Sequence, residues 1–296
     1  MQIKSIQQYI DLIEELQTRY IWERPSPTKW IDLGTKRNPH FIYRGHSNQS
    51  YSLLPGIFRL RKCQSGEYRS EFSQDEQRIL TDFISESYKY IHDVDTNDLL
   101  SWLEIAQHFG VPTRLLDFTE NPLVALYFAC ASNPDKDAEV CIVNKPAFNK
   151  VFYEDQSELV TSLGERIIVD KIINDEIRIQ NDCPHDDDKH YFQYPFIYKP
   201  YYKQERMNMQ ASVFMLWAGQ REKLTSFFKP EHYMKNTDDV DNQDVGALYL
   251  IQIASNDKKA ILQQLDMCGI NEKFIYPGVD GVGRYIRKKY TNPNIT

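Results

Sequence analysis

Glycine is scarce in this chain, at 12 of 296 residues, and no glycine-rich loop of any standard kind occurs. There is no G-x-G-x-x-G, no Walker-type phosphate loop, no G-x-S-x-G and no H-E-x-x-H. Nucleotide kinase, Rossmann dehydrogenase, α/β-hydrolase and zincin readings lose their support with them. Cysteine is also sparse. The five cysteines are scattered, odd in number and form no C-x-x-C, which argues against both a disulfide framework and a zinc knuckle. A reducing cytoplasm fits that usage. No run of eighteen apolar residues exists, so no membrane-spanning helix is expected. The opening MQIKSIQQYIDLIEELQTRY is amphipathic and lacks the apolar centre of a secretory signal. An excess of positive charge is missing too. Lys and Arg number 35 against 42 Asp and Glu, a net charge of -7. That disfavours broad attraction to phosphate backbones or anionic lipid but leaves room for a small basic pocket.

What is present is an ordinary soluble composition, 41% hydrophobic and 26% charged, in a chain long enough to bury a sizeable core. Aromatics are frequent, with 19 Tyr and 15 Phe. No repeat, low-complexity linker or sharp composition shift divides the chain. One α+β domain spanning 1–296 is the economical reading, with a mixed or antiparallel sheet and packed helices. It comprises an N-terminal helix over 5–20, a motif-rich core over 40–145, and strands and a helix over 205–290.

Local patterns place the elements. Ser5 and Gln8 match a capping box, and Ile6, Ile10, Ile13 and Leu16 recur at helical spacing. HFIYRG (40–45) reads as a short strand, and YSLLP (51–55) as a second one stopped by Pro55. Residues 67–91 read as a charged helix. Asn97 or Asp98 caps the next, LLSWLEIAQHF, which Gly110 ends. TRLLDFT (113–119) is extended, and Pro122 opens a helix over 123–131. Strands are expected at 138–144, 211–219 and 245–254, with a plausible helix at 165–178. A further helix is capped by Asn256 and ended by Gly269, and a last turn, GVGRYIRKK, closes the chain.

Three constellations could carry chemistry. The segment 107–129 packs Gln107, His108, Thr113, Arg114, Asp117, Thr119 and Glu120 between two apolar helices. Charges there are expected to be partly buried and therefore paired. Arg114 and Asp117 either form a structural ion pair fixing a turn or wall a polar cleft. Tyr43-Arg44-Gly45-His46 is the second. An arginine at a strand end can bind phosphate oxygens bidentately, and Gly45 permits close approach of a ligand; the competing reading is a surface-loop arginine. The third, His185 to His190, carries metal-capable side chains, but its spacing matches no calcium loop and reads as solvated. No metal is expected. Cys130 and Cys141 lie in apolar runs and read as inert core thiols.

F-I-Y-R-G (41–45), L-L-P-G-I-F-R (53–59), Glu71, A-Q-H-F-G-V-P-T-R-L-L-D-F-T-E-N-P-L-V-A-L-Y-F-A (106–129), E-R-M-N-M-Q-A-S-V-F (205–214) and G-I-N-E-K-F-I-Y-P-G-V-D-G-V (269–282) together resemble the FRG domain family. Ser212 stands where that family usually has Gly. The resemblance spans about residues 1–290. It implies a bacterial or phage setting, with the domain alone or fused to other modules.

The order of elements also looks like a split-sheet ADP-ribosyltransferase. That likeness implies NAD as substrate. Arg44, with Tyr43 and Gly45, would contact the NAD phosphates, with Arg114, Asp117 and Phe118 beside the cofactor. Thr119 would position the nicotinamide ribose, and His108 and Gln210 would complete the catalytic set. Tyr43, Tyr51, Phe109 or Phe118 could stack on nicotinamide. Gln210 departs from the catalytic Glu of those enzymes and supplies no charge, which implies either weak activity or another acid such as Glu71, Glu120 or Glu205. The implied activity is transfer of ADP-ribose to an unknown protein, nucleic-acid or small-molecule acceptor, or hydrolysis of NAD. The alternative is a non-catalytic nucleotide- or partner-binding module, for instance in phage defence. No membrane partner is expected.

Overall fold

A computed structural model describes residues 1–21, 40–60, 69–92, 94–153, 165, 167–170, 172–173, 194–201, 205–217, 222–228 and 246–291. Residues 22–39, the polar run His185 to His190 and half of the expected 165–178 helix lie outside them.

Seven strands form one mixed sheet. They are β1 (Gln2–Ile3), β2 (Phe41–His46), β3 (Leu115–Thr119), β4 (Ala138–Asn144), β5 (Phe196–Tyr198), β6 (Ser212–Leu216) and β7 (Leu248–Ile253). Their spatial order is β1-β7-β4-β2-β3-β6-β5. Only the β1–β7 pairing is parallel. Helices among the described residues are α1 (Ile6–Ile21), α2 (Arg69–Ser87), α3 (Leu99–His108), α4 (Pro122–Cys130), α5 (Lys145–Tyr153), α6 (Glu205–Met209), α7 (Ser255–Met267), α8 (Glu272–Ile275) and α9 (Val279–Thr291). The protein is α+β.

Alternate residues of the central strands enter different cores, as the two-residue period of a strand requires. Ile42, Phe118, Cys141 and Val143 join one apolar cluster with Leu103 of α3 and Phe148 of α5. Tyr43, Val140, Ile142 and Ile251 join the other with Tyr9 of α1, Ala125 of α4 and Ile261 of α7. Cys130 and Cys141 are both buried. Burial pushes the Cys130 thiol up to about 12 and the Cys141 thiol up as well, as expected of unreactive core thiols.

The strongest sequence signals hold locally. Asp98 caps α3, its Oδ1 accepting from the Ser101 N–H at 3.0 Å. Gly110 follows that helix with φ 81°, the left-handed geometry that favours glycine. Pro122 opens α4 behind an Asn121 cap. At α1 the Ser5 Oγ accepts from Gln8 N–H, but the Gln8 side chain returns to the Lys4 N–H, one residue early for a capping box.

Four expectations change. YSLLP forms no strand, because the Leu53 carbonyl accepts from Leu224 N–H, away from any ladder, and a 3₁₀ turn, Gly56–Arg59, follows Pro55. The strand expected from 211 begins at Ser212, since Ala211 has φ 45°. The α7 cap is Ala254, not Asn256, and Asp137 Oδ1 accepts the Ser255 N–H. The last turn is a full helix, α9, which reaches Thr291.

Candidate functional site

The sheet has one weak seam. β2 pairs with β4 over six residues and β3 with β6 over five, yet β2 and β3 share only the Tyr43↔Thr119 pair. Beyond that pair the strands lack ladder contacts. A cleft of about 420 Å³ opens there, lined by Arg44, Asp117, Leu115 and Leu116 of the two strands, Gln107, Arg59 and the turn over 110–112. Such a volume suits a small-molecule site.

Arg44 lies across the seam with its side chain 20% exposed. Its Nε donates to His46 Nε2 at 3.0 Å and its Nη1 to the Asp117 carbonyl at 2.6 Å. The Asp117 carboxylate stands 3.9 Å from Nη1 and is 53% exposed. Gln107 Nε2 donates to it at 2.5 Å, and the Thr113 hydroxyl donates to Gln107 Oε1 at 2.6 Å. Burial lowers the Arg44 guanidinium from its ordinary value; Asp117 opposes that shift and Arg59 adds to it. The group remains a cation. His46 is buried, and burial together with Arg44 and Arg59 pushes its imidazole down to about 3. The cleft therefore holds two arginines and one half-exposed carboxylate.

Residues 39–138 match the family model described as the FRG domain, which covers both strands of the seam. The chain carries an FRG domain. No curated protein and no solved structure matches the chain.

The segment Tyr43-Arg44-Gly45 divides its tasks by face. Arg44 enters the cleft. Gly45 does not: a Cβ there would stand 1.9 Å from the Ala125 carbonyl oxygen and 2.6 Å from Ala129 N. Glycine is needed so that α4 can cross β2 closely, not for ligand approach. Tyr43 is 3% exposed on that same helical side, and Phe118 is 3% exposed in the opposite core. Neither ring presents a face for stacking. Tyr51 and Phe109 are exposed, the first edge-on to His46 with ring centroids 6.3 Å apart.

Arg114 does not pair with Asp117. Successive residues of extended chain point apart, so Arg114, just before β3, and Asp117, within it, leave on opposite sides. The buried Arg114 guanidinium pairs with the buried Glu76 of α2, and Glu76 Oε1 also accepts the Arg114 N–H at 3.1 Å.

Thr119 and Gln210 meet each other, but away from the cleft lining. The Thr119 hydroxyl donates to the Gln210 carbonyl at 2.5 Å and accepts from the Asn121 N–H at 2.9 Å. The Gln210 side chain donates to the Ile275 carbonyl of α8 at 2.9 Å. Arg206, one helical turn earlier, lies 4.9 Å from the Tyr276 ring centroid. The R-x-x-x-Q segment thus fastens α6 to the end of α8. His108 is half-buried, with its imidazole lowered by burial and by Arg206 against the pull of Asp117, and it is not among the residues lining the cleft. Glu120 is held by His40 at 2.9 Å and Lys199 at 2.8 Å. Glu205 is exposed at the start of α6. The Glu71 side chain lies outside the described residues.

The sequence reading named Gln107 within the polar segment 107–129 but gave Arg59 no role, although Arg59 ends the L-L-P-G-I-F-R motif. An arginine left exposed directly after the buried pair Ile57-Phe58 was the usable signal.

Proposed function

We propose that the seam cleft of this FRG domain binds the diphosphate of an NAD-like dinucleotide, and that the protein works as a nucleotide-binding module. One observation carries this reading: Arg44 and Arg59 converge on a single cleft at the point where two central strands part. Arginine forks suit phosphate oxygens, and partial burial strengthens each contact. The Arg44–Arg59 repulsion is relieved by a bound dianion. The single β2–β3 pair also supports a split-sheet, ADP-ribosyltransferase-like arrangement of the strands around the nucleotide.

A second reading adds chemistry. It is favoured by the Asp117 carboxylate, half-exposed at the cleft and held by Gln107. In NAD hydrolysis or ADP-ribose transfer, the nicotinamide leaves with the bonding pair of its glycosidic bond. The ribose then passes through an oxocarbenium-like state, which a carboxylate stabilises, before water or an acceptor adds at the same carbon. Asp117 would take that role, because Gln210 carries no charge and its amide is engaged by Ile275.

Titration calorimetry with NAD⁺ and ADP-ribose tests the binding reading. Arg44→Ala and Arg59→Ala should each weaken ADP-ribose binding by about tenfold or more. Arg44→Lys should recover little, since a point charge does not reproduce the fork. Absence of binding by the wild-type protein to either ligand defeats the proposal. Nicotinamide release from NAD⁺, lost in Asp117→Asn while binding persists, separates the enzymatic reading from the binding module.

A further inference from the structure

The guanidinium of Arg44 has five N–H bonds, and two of them have described partners. Nε donates to His46 and Nη1 to the Asp117 main-chain carbonyl. Together these bonds fix the plane of the group and leave the Nη1–Nη2 end for a ligand. Both acceptors are uncharged. An arginine can only donate, so His46 must present a bare Nε2 and carry its proton on Nδ1. Its surroundings enforce that form: the ring is buried beside two guanidiniums, which disfavour the imidazolium.

That choice of acceptor has a consequence. A carboxylate in the place of His46 would orient the guanidinium equally well, but it would cancel the charge that attracts an anion. A neutral imidazole orients without cancelling. The ring is itself held edge-on by Tyr51, whose hydroxyl accepts from Asn133 Nδ2 at 3.2 Å. The supporting chain therefore runs from Asn133 through Tyr51 and His46 to Arg44, and ends in the cleft.

We infer that His46 is the positioning residue of the anion site, a neutral acceptor that aims the Arg44 fork at the diphosphate of the ligand without adding a second negative charge to that of Asp117. The inference rests on the nucleotide reading of the cleft given above.

The test uses inorganic pyrophosphate and ADP-ribose as probes in calorimetry, with a thermal melt of every variant. Against the wild-type protein, His46→Leu should lose roughly tenfold or more in affinity for both probes. His46→Gln offers a neutral oxygen and should recover most of that loss. His46→Glu retains an acceptor yet should bind at least as weakly as His46→Leu, because it neutralises Arg44. A purely structural role would instead make affinity follow the melting temperature across all three variants, and that pattern overturns the inference. Wild-type binding with unchanged affinity in His46→Leu overturns it while sparing the nucleotide reading. No wild-type binding to either probe removes both. Nitrogen NMR of the folded wild-type protein gives an answer independent of variant folding. At neutral pH the His46 ring should show a protonated Nδ1 and an unprotonated Nε2; the opposite tautomer or an imidazolium refutes the assignment.

Discussion

Arg44 donates to the main-chain carbonyl of Asp117 at 2.6 Å, while the carboxylate of the same residue stands 3.9 Å away. The guanidinium is thus tied to the backbone of the neighbouring strand, and Asp117 keeps its charged end for Gln107 and solvent. The same residue can position the arginine and still take part in chemistry.

Gln210→Ala should cost about 1–3 kcal/mol, because it strands the Ile275 carbonyl. ADP-ribose affinity should not change. Urea titration reads the first effect and calorimetry the second. A loss of affinity without a loss of stability would place Gln210 in the proposed nucleotide site instead.

Arg114 and Glu76 form a buried ion pair, 6% and 9% exposed. Glu76→Gln or Arg114→Met alone should destabilise by about 3–5 kcal/mol, each leaving one charge buried without its partner. The double variant should be less damaged than the sum of the singles. A double-mutant cycle in denaturant measures that difference.

Gly45→Ala should destabilise by at least about 1–3 kcal/mol through forced separation of α4 from β2. The new methyl meets backbone atoms, which cannot swing aside. A fall in the chemical-denaturation midpoint is the expected readout. A variant as stable as the wild-type protein would contradict the close crossing.

Acid should expose the burial of His46. Its folded value is near 3 and the unfolded imidazole titrates near 6.5, so between these values the unfolded chain binds the extra proton. Stability from this group is present above pH 6.5 and is lost as pH falls towards 3. The charged groups in play are Arg44 and Arg59, which hold the imidazole down, and Glu139, which sits opposite His46 on β4 and is itself raised by burial. The melting temperature of the wild-type protein should therefore drop more steeply than that of His46→Gln as pH is lowered from 6.5 to 4.

Local punctuation made much of the fold legible. Asp98, Gly110 and Pro122 act within a turn of themselves, so their meaning survives without tertiary context. Arg44 and Asp117 stood out in the sequence because charges set among apolar neighbours need partners, and they line one cleft. Their partners were not legible. Arg114 reaches a helix 38 residues earlier, and Gln210 reaches a carbonyl 65 residues later. Faces also decide roles that residue type cannot. Tyr43 and Phe118 read as ligand aromatics from proximity in sequence, but strand alternation turns Tyr43 into one core, and Phe118 lies in the other. Gly45 read as room for a ligand and proved to be room for a helix.

The single Tyr43↔Thr119 pair makes the sheet two ribbons riveted at one point. Past the rivet, two strand margins that do not pair with each other run side by side inside the molecule, the Asp117 carbonyl on one of them taken by Arg44. Such margins ordinarily zip together or recruit a foreign strand. The cation laid between them works as a wedge, too costly to bury dry and too well tied to swing out. Holding the ribbons apart is thus a second duty of Arg44, and replacing it with valine should let the margins zip. Slower amide exchange in Gly45 and Asp117, bought with the loss of the cleft, would mark that closure.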